Sequence, residues 1–154
     1  MSSTAHRAEI EAVLNQLASA HASQDADAIA DSYAPNAMIY DLAPPLARRG
    51  MKRDSIAAWL ADWEGPIEID WRDTDIAIDG NLAFVSTLNR MRGRQGGDDQ
   101  DMWYRTTLCL RRANGRWRIF CDHASVPFYM DGSYRAAVDL KPEQREEAAS
   151  DNRM

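Results

Sequence analysis

Apolar residues recur every three or four positions near the start of the chain, which is the spacing of one face of an α-helix. Ile10, Val13, Leu14 and Leu17 form that face and predict a helix over residues 4–22. The opposite positions are polar, as expected for a helix with one face in water. The first element is therefore an amphipathic helix that packs against a core.

Two further helices are predicted before the pattern changes. Asp25 is placed to cap a short helix that ends before Pro35. Asp54 or Ser55 is placed to cap a third helix with Trp59 and Trp63 four residues apart on one face. All three helices therefore lie in the first 65 residues.

Beyond residue 66 the apolar positions alternate with polar ones, which is typical of strands with one wet face. The Asn114-Gly115 pair is a strong signal for a tight hairpin turn. The predicted strands cover residues 37–41, 67–72, 75–79, 82–92, 102–112 and 116–126, with a polar, glycine-rich loop over 93–100. This order predicts an α+β fold, a cone-shaped curved antiparallel sheet wrapped over three N-terminal helices and enclosing a pocket.

The domain is predicted to span residues 1–130. Residues 131–154 have little apolar content and include the charged run Lys141-Pro142-Glu143-Gln144-Arg145-Glu146-Glu147, so we expect a mobile or loosely docked tail. One domain agrees with a length of 154 residues.

The last hairpin predicts which side chains face the pocket. A type I′ turn at Asn114-Gly115 pairs Thr106 with His123 and places both on the inner face together with Tyr104. The same register places Cys109 and Cys121 on opposite faces, where they cannot form a disulfide. The outer face mixes aromatic and charged residues (Trp103, Arg105, Arg111, Arg118, Phe120 and Asp122), a composition that suits the subunit interface of a homodimer.

Charge and composition exclude several functions. The chain has 18 Lys and Arg against 24 Asp and Glu, a net charge of −6, which gives no electrostatic basis for nucleic-acid binding. The sequence shows neither a signal peptide nor a segment that could cross a membrane, so we expect a cytoplasmic protein. Two cysteines are too few for a disulfide scaffold and are expected to be reduced.

Two titratable residues are candidates for catalysis. A carboxylate becomes a general base when an apolar cavity raises its pKa and the substrate lies within reach, and Asp41 lies at the mouth of the first predicted strand. The alternative is that Asp41 caps the Pro44-Pro45 loop through backbone N–H groups. His123 is a candidate acid or hydrogen-bond donor, and its alternative is a core histidine satisfied by Thr106, Tyr104 or Ser125.

Several residues are candidates for substrate binding. Asn89 alternates with apolar neighbours on its strand, so an inward amide would orient a substrate oxygen, whereas a one-residue slip would turn it to water. The remaining candidates are Thr106 and Tyr104 on the sheet and Trp59 and Trp63 on the helical wall, although core packing explains at least one of the tryptophans as well. We expect no metal, because Asp41 and His123 lack a third ligand, and no organic cofactor.

Three stretches resemble the superfamily of nuclear transport factor 2-like, SnoaL-like and ketosteroid-isomerase-like proteins. They are residues 24–37 (QDADAIADSYAPNA), 39–45 (IYDLAPP) with Arg49-Gly50, and 114–119 (NGRWRI) running to 123–127 (HASVP). The resemblance implies the fold given above and an Asp41 that transfers protons. Leu17 and Thr106 occupy the positions where the ketosteroid isomerases hold their oxyanion-binding tyrosine and aspartate, so that reaction does not transfer directly.

Two functions are compatible with this resemblance. The first is a ketosteroid-isomerase-like enzyme that performs acid/base proton transfer on a hydrophobic carbonyl or polyketide-like molecule, with Asp41 as base and His123, Thr106 and Asn89 polarising the substrate oxygen. The second is a non-catalytic ligand-binding or association module, since residues 123–127 also resemble the association domain of calcium/calmodulin-dependent kinase II.

Overall fold

The helical periodicity of the N-terminal third is realised as three helices. In the computed structural model, which describes residues 2–142, they are α1 (Ser3–Ala22), α2 (Ala26–Asp31) and α3 (Arg53–Ala61). Ser2 and Asp25 cap α1 and α2 by accepting hydrogen bonds from backbone N–H groups three residues later. α3 instead follows Lys52, which makes no side-chain cap, so the predicted cap at Asp54 or Ser55 is wrong.

The strands form one curved, open sheet against which the helices pack. The strands are β1 (Tyr33–Tyr40), β2 (Arg48–Arg49), β3 (Glu68–Asp79), β4 (Leu82–Gln95), β5 (Asp98–Ala113) and β6 (Arg116–Ser125), in the spatial order β2-β1-β6-β5-β4-β3. β1 and β6 run parallel and the other neighbours antiparallel. The predicted α+β fold is confirmed.

The core lies between α1 and the concave face of the sheet. Ile10, Leu14 and Leu17 on α1 are almost fully buried, which confirms the predicted apolar face. They pack in one cluster with strand residues that include Val85, Leu108, Leu110 and Ile119. Within residues 2–142 no helix is both long and apolar enough to span a membrane.

A β-bulge in β6 overturns the register that we predicted for the last hairpin. Leu110 pairs with Ile119 as expected, but Cys109 then pairs with Cys121, so Phe120 is the extra residue. Beyond the bulge Thr106 pairs with Ala124, not with His123. Because side chains alternate between faces, this one-residue shift reverses the orientation of every following residue in β6.

The bulge also changes the relation of the two cysteines. Cys109 and Cys121 lie directly opposite each other on neighbouring strands, so the prediction that they occupy opposite faces is wrong. Both are free thiols of intermediate exposure.

The glycine-rich segment predicted as a loop is largely strand. β4 continues to Gln95 and β5 begins at Asp98. Only Gly96 and Gly97, both at positive φ, form the turn between them. The extended hairpin is tied to the end of α3, because Trp63 bridges to Gln95. Gly93 allows this approach, since a Cβ at that position would lie 2.8 Å from Cε3 of Trp63.

The segment after β6 folds back on itself. Phe128 bridges to Ala136, and the amide of Ala137 donates to the carbonyl of Pro127 at 2.8 Å. Ala137 is buried. Residues 131–142 of the expected tail therefore have defined contacts, and residues 143–154 lie outside the described residues.

We predict that Gly93→Ala destabilises the protein by about 1–3 kcal/mol, because the added methyl overpacks against the buried Trp63 ring. Urea unfolding measures this free energy. The double variant Gly93→Ala/Trp63→Leu should lose less than the sum of the two single variants, because leucine leaves room for the methyl. Additive losses would show that this contact does not constrain the hairpin.

Candidate functional site

A cavity of about 790 Å³ lies between the concave face of the sheet and the three helices. Its walls are mainly apolar and aromatic. The helices contribute Leu17, His21, Ile29, Ile56 and Trp59, and the sheet contributes Ile39, Ile69, Trp71, Met91, Met102 and Leu108. Its size and apolar lining suit a small organic molecule.

Strand register places polar side chains in one band across this apolar wall. Trp71 pairs with Asn89, and Asn89 pairs with Tyr104, so the three form a row on neighbouring strands. Two residues further along β5, Thr106 pairs with Ala124. The next inward-facing pair is Leu108 with Asp122. The band thus extends from an indole on β3 to a carboxylate on β6.

Asp122 is the titratable centre of the cavity. Its Oδ2 accepts a 2.6 Å hydrogen bond from the hydroxyl of Tyr33, which is only 7% exposed. Burial raises the pKa of Asp122 to about 6, since desolvation disfavours the charged form. The Tyr33 hydrogen bond opposes this increase, and the nearby charge of Asp41 adds to it.

The two tyrosines beside Asp122 are held in their protonated form. Burial raises the pKa of both Tyr33 and Tyr104, and the negative charge of Asp122 raises both further. The single proton of Tyr33 is donated to Asp122, whereas the phenol of Tyr104 is available as a hydrogen-bond donor at neutral pH.

Three other donors in the cavity wall have no partner within the described residues. They are Oγ1 of Thr106 and the indole Nε1 atoms of Trp63 and Trp71, all buried. A buried donor left unsatisfied costs about 1–3 kcal/mol, so the cavity wall includes three groups that disfavour folding.

A histidine of the helical wall is the second titratable group of the cavity. His21 lies at the end of α1, and its Nδ1 is 2.8 Å from the carbonyl of Leu17. Because a carbonyl can only accept, the proton is on Nδ1 and the lone pair is on Nε2 in the neutral ring. Burial lowers the pKa of His21, which favours this neutral form.

All five of the predicted binding residues line the cavity. Asn89, Thr106, Tyr104, Trp59 and Trp63 all contribute to its wall. Asn89 is held in place because its side-chain amide donates to the carbonyl of Asp70 at 3.2 Å. The structure therefore brings these five residues together in one cavity.

Asp41 lies at the cavity rim, with its side chain about 40% exposed. One carboxylate oxygen accepts from the amide of Leu42 at 2.7 Å, and the other pairs with Arg48 at 2.6 Å. Both oxygens are thus engaged by the rim itself, which corresponds to the loop-capping alternative considered for this residue.

The predicted inner position of His123 is wrong. The bulge at Phe120 turns its ring to the outer face of the sheet, where it is exposed and packs against Tyr40 with ring centroids 5.2 Å apart. His123 does not line the cavity.

Sequence reasoning missed Asp122, Tyr33 and His21. A regular alternation assigns Asp122 to the outer face. The composition of that predicted face is the signal that could have revealed the error, because it is too aromatic for water and too charged for a core. Such a mixture is expected when a strand changes faces midway. Tyr33 was placed in a helix, although it begins β1.

Within residues 2–142 no group of three or more His, Cys, Asp or Glu side chains is arranged to hold a metal ion.

Solved structures with the same architecture define the class of the protein as nuclear transport factor 2-like. A protein of unknown function from Pseudomonas putida KT2440 is 28% identical with a TM-score of 0.81, covering 92% of this chain and 100% of its own. A candidate dehydratase from Streptomyces avermitilis is 14% identical with a TM-score of 0.71, covering 80% and 97%. A candidate calcium/calmodulin-dependent protein kinase II association domain from Xanthomonas campestris is 18% identical with a TM-score of 0.67, covering 76% and 84%.

Within this class, the SnoaL-like domain family matches residues 10–129, and the chain belongs to that family. No curated protein matches the chain. The matched residues include the whole of the cavity wall described above, from α1 to the end of β6.

The raised pKa of Asp122 predicts a pH-dependent stability. The folded state holds the proton up to about pH 6, whereas an unfolded aspartate releases it near its ordinary pKa of 3.8, so stability falls as the pH rises through this window. Asp122→Asn removes the buried charge and keeps an acceptor for Tyr33. Its unfolding free energy relative to wild type should increase by about 1–3 kcal/mol from pH 4 to pH 7.5. A pH-independent difference in urea unfolding would contradict the assignment.

Proposed function

We propose that this protein is a small-molecule enzyme that transfers protons by acid/base catalysis on a hydrophobic carbonyl compound, in the manner of isomerases, cyclases or dehydratases. The single observation that supports this most directly is the pairing of Asp122 with Tyr33 inside an apolar cavity. A carboxyl with a pKa of about 6 can both accept and return a proton near neutral pH.

The proposed step begins with ionised Asp122, the majority form at pH 7. Its carboxylate removes a proton from the carbon next to the substrate carbonyl, and the electron pair moves to the carbonyl oxygen to give an enolate. Tyr104 and Thr106 are on the same wall and can donate hydrogen bonds to that oxygen. In a β,γ-unsaturated substrate the enolate extends over the double bond, and return of the proton from Asp122 to the γ-carbon gives isomerisation. In a β-hydroxy substrate the enolate expels the hydroxyl group, which takes the proton from Asp122 and leaves as water, and this gives dehydration.

His21 suits the second proton-transfer position in this scheme. Its neutral ring offers the Nε2 lone pair from the helical wall, opposite the sheet that holds Asp122. A substrate between the two walls would meet a carboxyl on one side and an imidazole on the other. Because Nε2 carries a lone pair and no proton, His21 would accept a proton from a second substrate atom, while Asp122 returns the proton that it removed.

Asp41 and His123 are less suited to these roles than the sequence indicated. Both oxygens of Asp41 are already engaged, by Leu42 and Arg48, and His123 lies on the far side of the sheet. We therefore assign proton transfer to Asp122 and a positioning role to Asp41.

Proton abstraction can be tested before the natural substrate is known. In D₂O, exchange of the hydrogens next to the carbonyl of a cyclic ketone such as 2-tetralone is followed by NMR. Asp122→Asn should reduce the enzyme-catalysed exchange rate by about 10²–10⁴-fold. Asp41→Asn is the matched variant and should lose less than about tenfold. A loss confined to Asp41→Asn would return the catalytic role to that residue, and no loss in either variant would reject proton transfer.

Tyr33→Phe tests the same centre without removing its carboxylate. The hydroxyl of Tyr33 lowers the pKa of Asp122, so its loss should move the acid limb of the pH–rate profile to higher pH. Tyr104→Phe removes a phenol for which no hydrogen bond to Asp122 is seen and should leave that limb in place while reducing the maximal rate. Equal profiles for Tyr33→Phe and wild type would contradict the role of this hydrogen bond.

The second candidate is a non-catalytic ligand-binding or association module. The likeness to the candidate kinase association domain from Xanthomonas campestris favours it, although that likeness shows only the fold. Ligand binding without hydrogen exchange in any variant would support it.

We also propose that the protein forms a homodimer through the outer face of its sheet. This face includes Phe84, which is 49% exposed, together with Trp103 and Phe120. Arg90 stacks on the ring of Trp103, and Arg111 stacks on the ring of Phe120. Aromatic residues and arginines are enriched in such interfaces.

Light scattering coupled to size exclusion tests this interface. Phe84→Arg should shift the protein from dimer to monomer, because it places a charge on the paired face. Leu46→Arg is the control, since Leu46 is 97% exposed outside the sheet and should have no effect on assembly. A monomeric wild type, or a dimer in both variants, would contradict the proposed interface.

A further inference from the structure

We propose that Arg48 is the anion-binding residue of the cavity and that the substrate is a one- or two-ring apolar molecule with a carboxylate. This inference rests on the proposed function and adds the class of its substrate. The observation behind it is a guanidinium that lines the cavity with one of its donors unused.

The contacts of Arg48 show which part of the guanidinium is available. Its Nη2 pairs with Asp41 at 2.6 Å, whereas its Nη1 has no hydrogen-bond partner among the described residues, and the side chain is 38% exposed. The Asp41 pair holds the planar group at the rim, and the N–H groups of Nη1 remain for a ligand. Such a fixed fork is well suited to a carboxylate.

The charge around Arg48 also favours an anion. Arg49 and Lys52 belong to the same rim, and within residues 2–142 neither forms an ion pair. The side chain of Arg49 donates to the carbonyl of Asn36 at 3.3 Å. The rim is therefore positive although the chain as a whole has a net charge of −6, and charge near an apolar cavity attracts oppositely charged ligands.

Strand register fixes how such a ligand would lie. Arg48 pairs with Ile39 on β1, and Ile39 pairs with Asp122 on β6, so Arg48 and Asp122 are two strands apart in one row. This corresponds to about 10 Å between their backbones. The carboxylate of Asp122 repels an anionic group, so the ligand's acid lies at Arg48 and its reacting carbon lies toward Asp122. One or two rings span that distance.

The test compares 2-naphthoate with 2-naphthamide, two probes that share one apolar body and differ in charge. Isothermal titration calorimetry at pH 7.5 and low salt should show naphthoate binding at least about tenfold more tightly than naphthamide. Arg48→Gln should weaken naphthoate by about tenfold or more and leave naphthamide unchanged. Arg49→Gln, the matched loss of one charge at the next residue, should weaken naphthoate by less than about threefold.

Two further variants keep the test informative. Arg48→Lys retains a charge next to Asp41 but lacks the planar fork, so it should give an intermediate loss even if Arg48→Gln folds poorly. Asp122→Asn should still prefer naphthoate, because that residue acts in proton transfer. The hydrogen-exchange rate of Asp122→Asn tests the proposed proton transfer, and its preference for naphthoate tests anion binding at Arg48. The two proposals can therefore fail independently. Equal affinity for both probes, or equal losses in Arg48→Gln and Arg49→Gln, would overturn the role of Arg48.

Discussion

The extra residue at Phe120 is the constraint on which the candidate site depends. A regular hairpin would direct His123 into the cavity and Asp122 to the outer face, and the bulge reverses both. β1 pairs with β6 on both sides of the bulge, Tyr33 with Ile119 and Ile39 with Asp122, and the hydroxyl of Tyr33 donates to the Asp122 carboxylate at 2.6 Å. A single inserted residue thus decides which titratable group the cavity contains.

The stability of this arrangement is limited by the same burial that makes it useful. The cavity wall keeps Asp122 away from water and leaves Thr106 and two indoles without partners among the described residues. Each feature disfavours folding by itself, and the apolar cluster around Ile10 and Leu108 offsets it. Unsatisfied donors and a desolvated acid in one cavity are typical of a binding site, where a ligand completes the hydrogen bonds.

The fold was predictable because its signals are local. The spacing of Ile10, Leu14 and Leu17 defines a helix whatever lies next to it, and Asn114-Gly115 defines a turn from two residues. The site was only partly predictable. Asn89 and Tyr104 pair in the β4–β5 ladder, which has no bulge and follows a regular alternation, whereas Asp122 and His123 follow the bulge in β6. A bulge depends on tertiary packing of two strands, so alternation along one strand does not reveal it.

The role of Asp41 illustrates how position and chemistry separate within one fold. Its place at the end of β1 agrees with the base position implied by family resemblance, yet its two oxygens are used by the Leu42 amide and the Arg48 guanidinium. A carboxylate engaged in this way fixes the orientation of its partner and has both oxygens occupied by groups of the rim. The acid/base function is then left to Asp122, two strands away from Arg48. The rim pair and the buried acid together divide the cavity into an anion-holding end and a proton-transfer end.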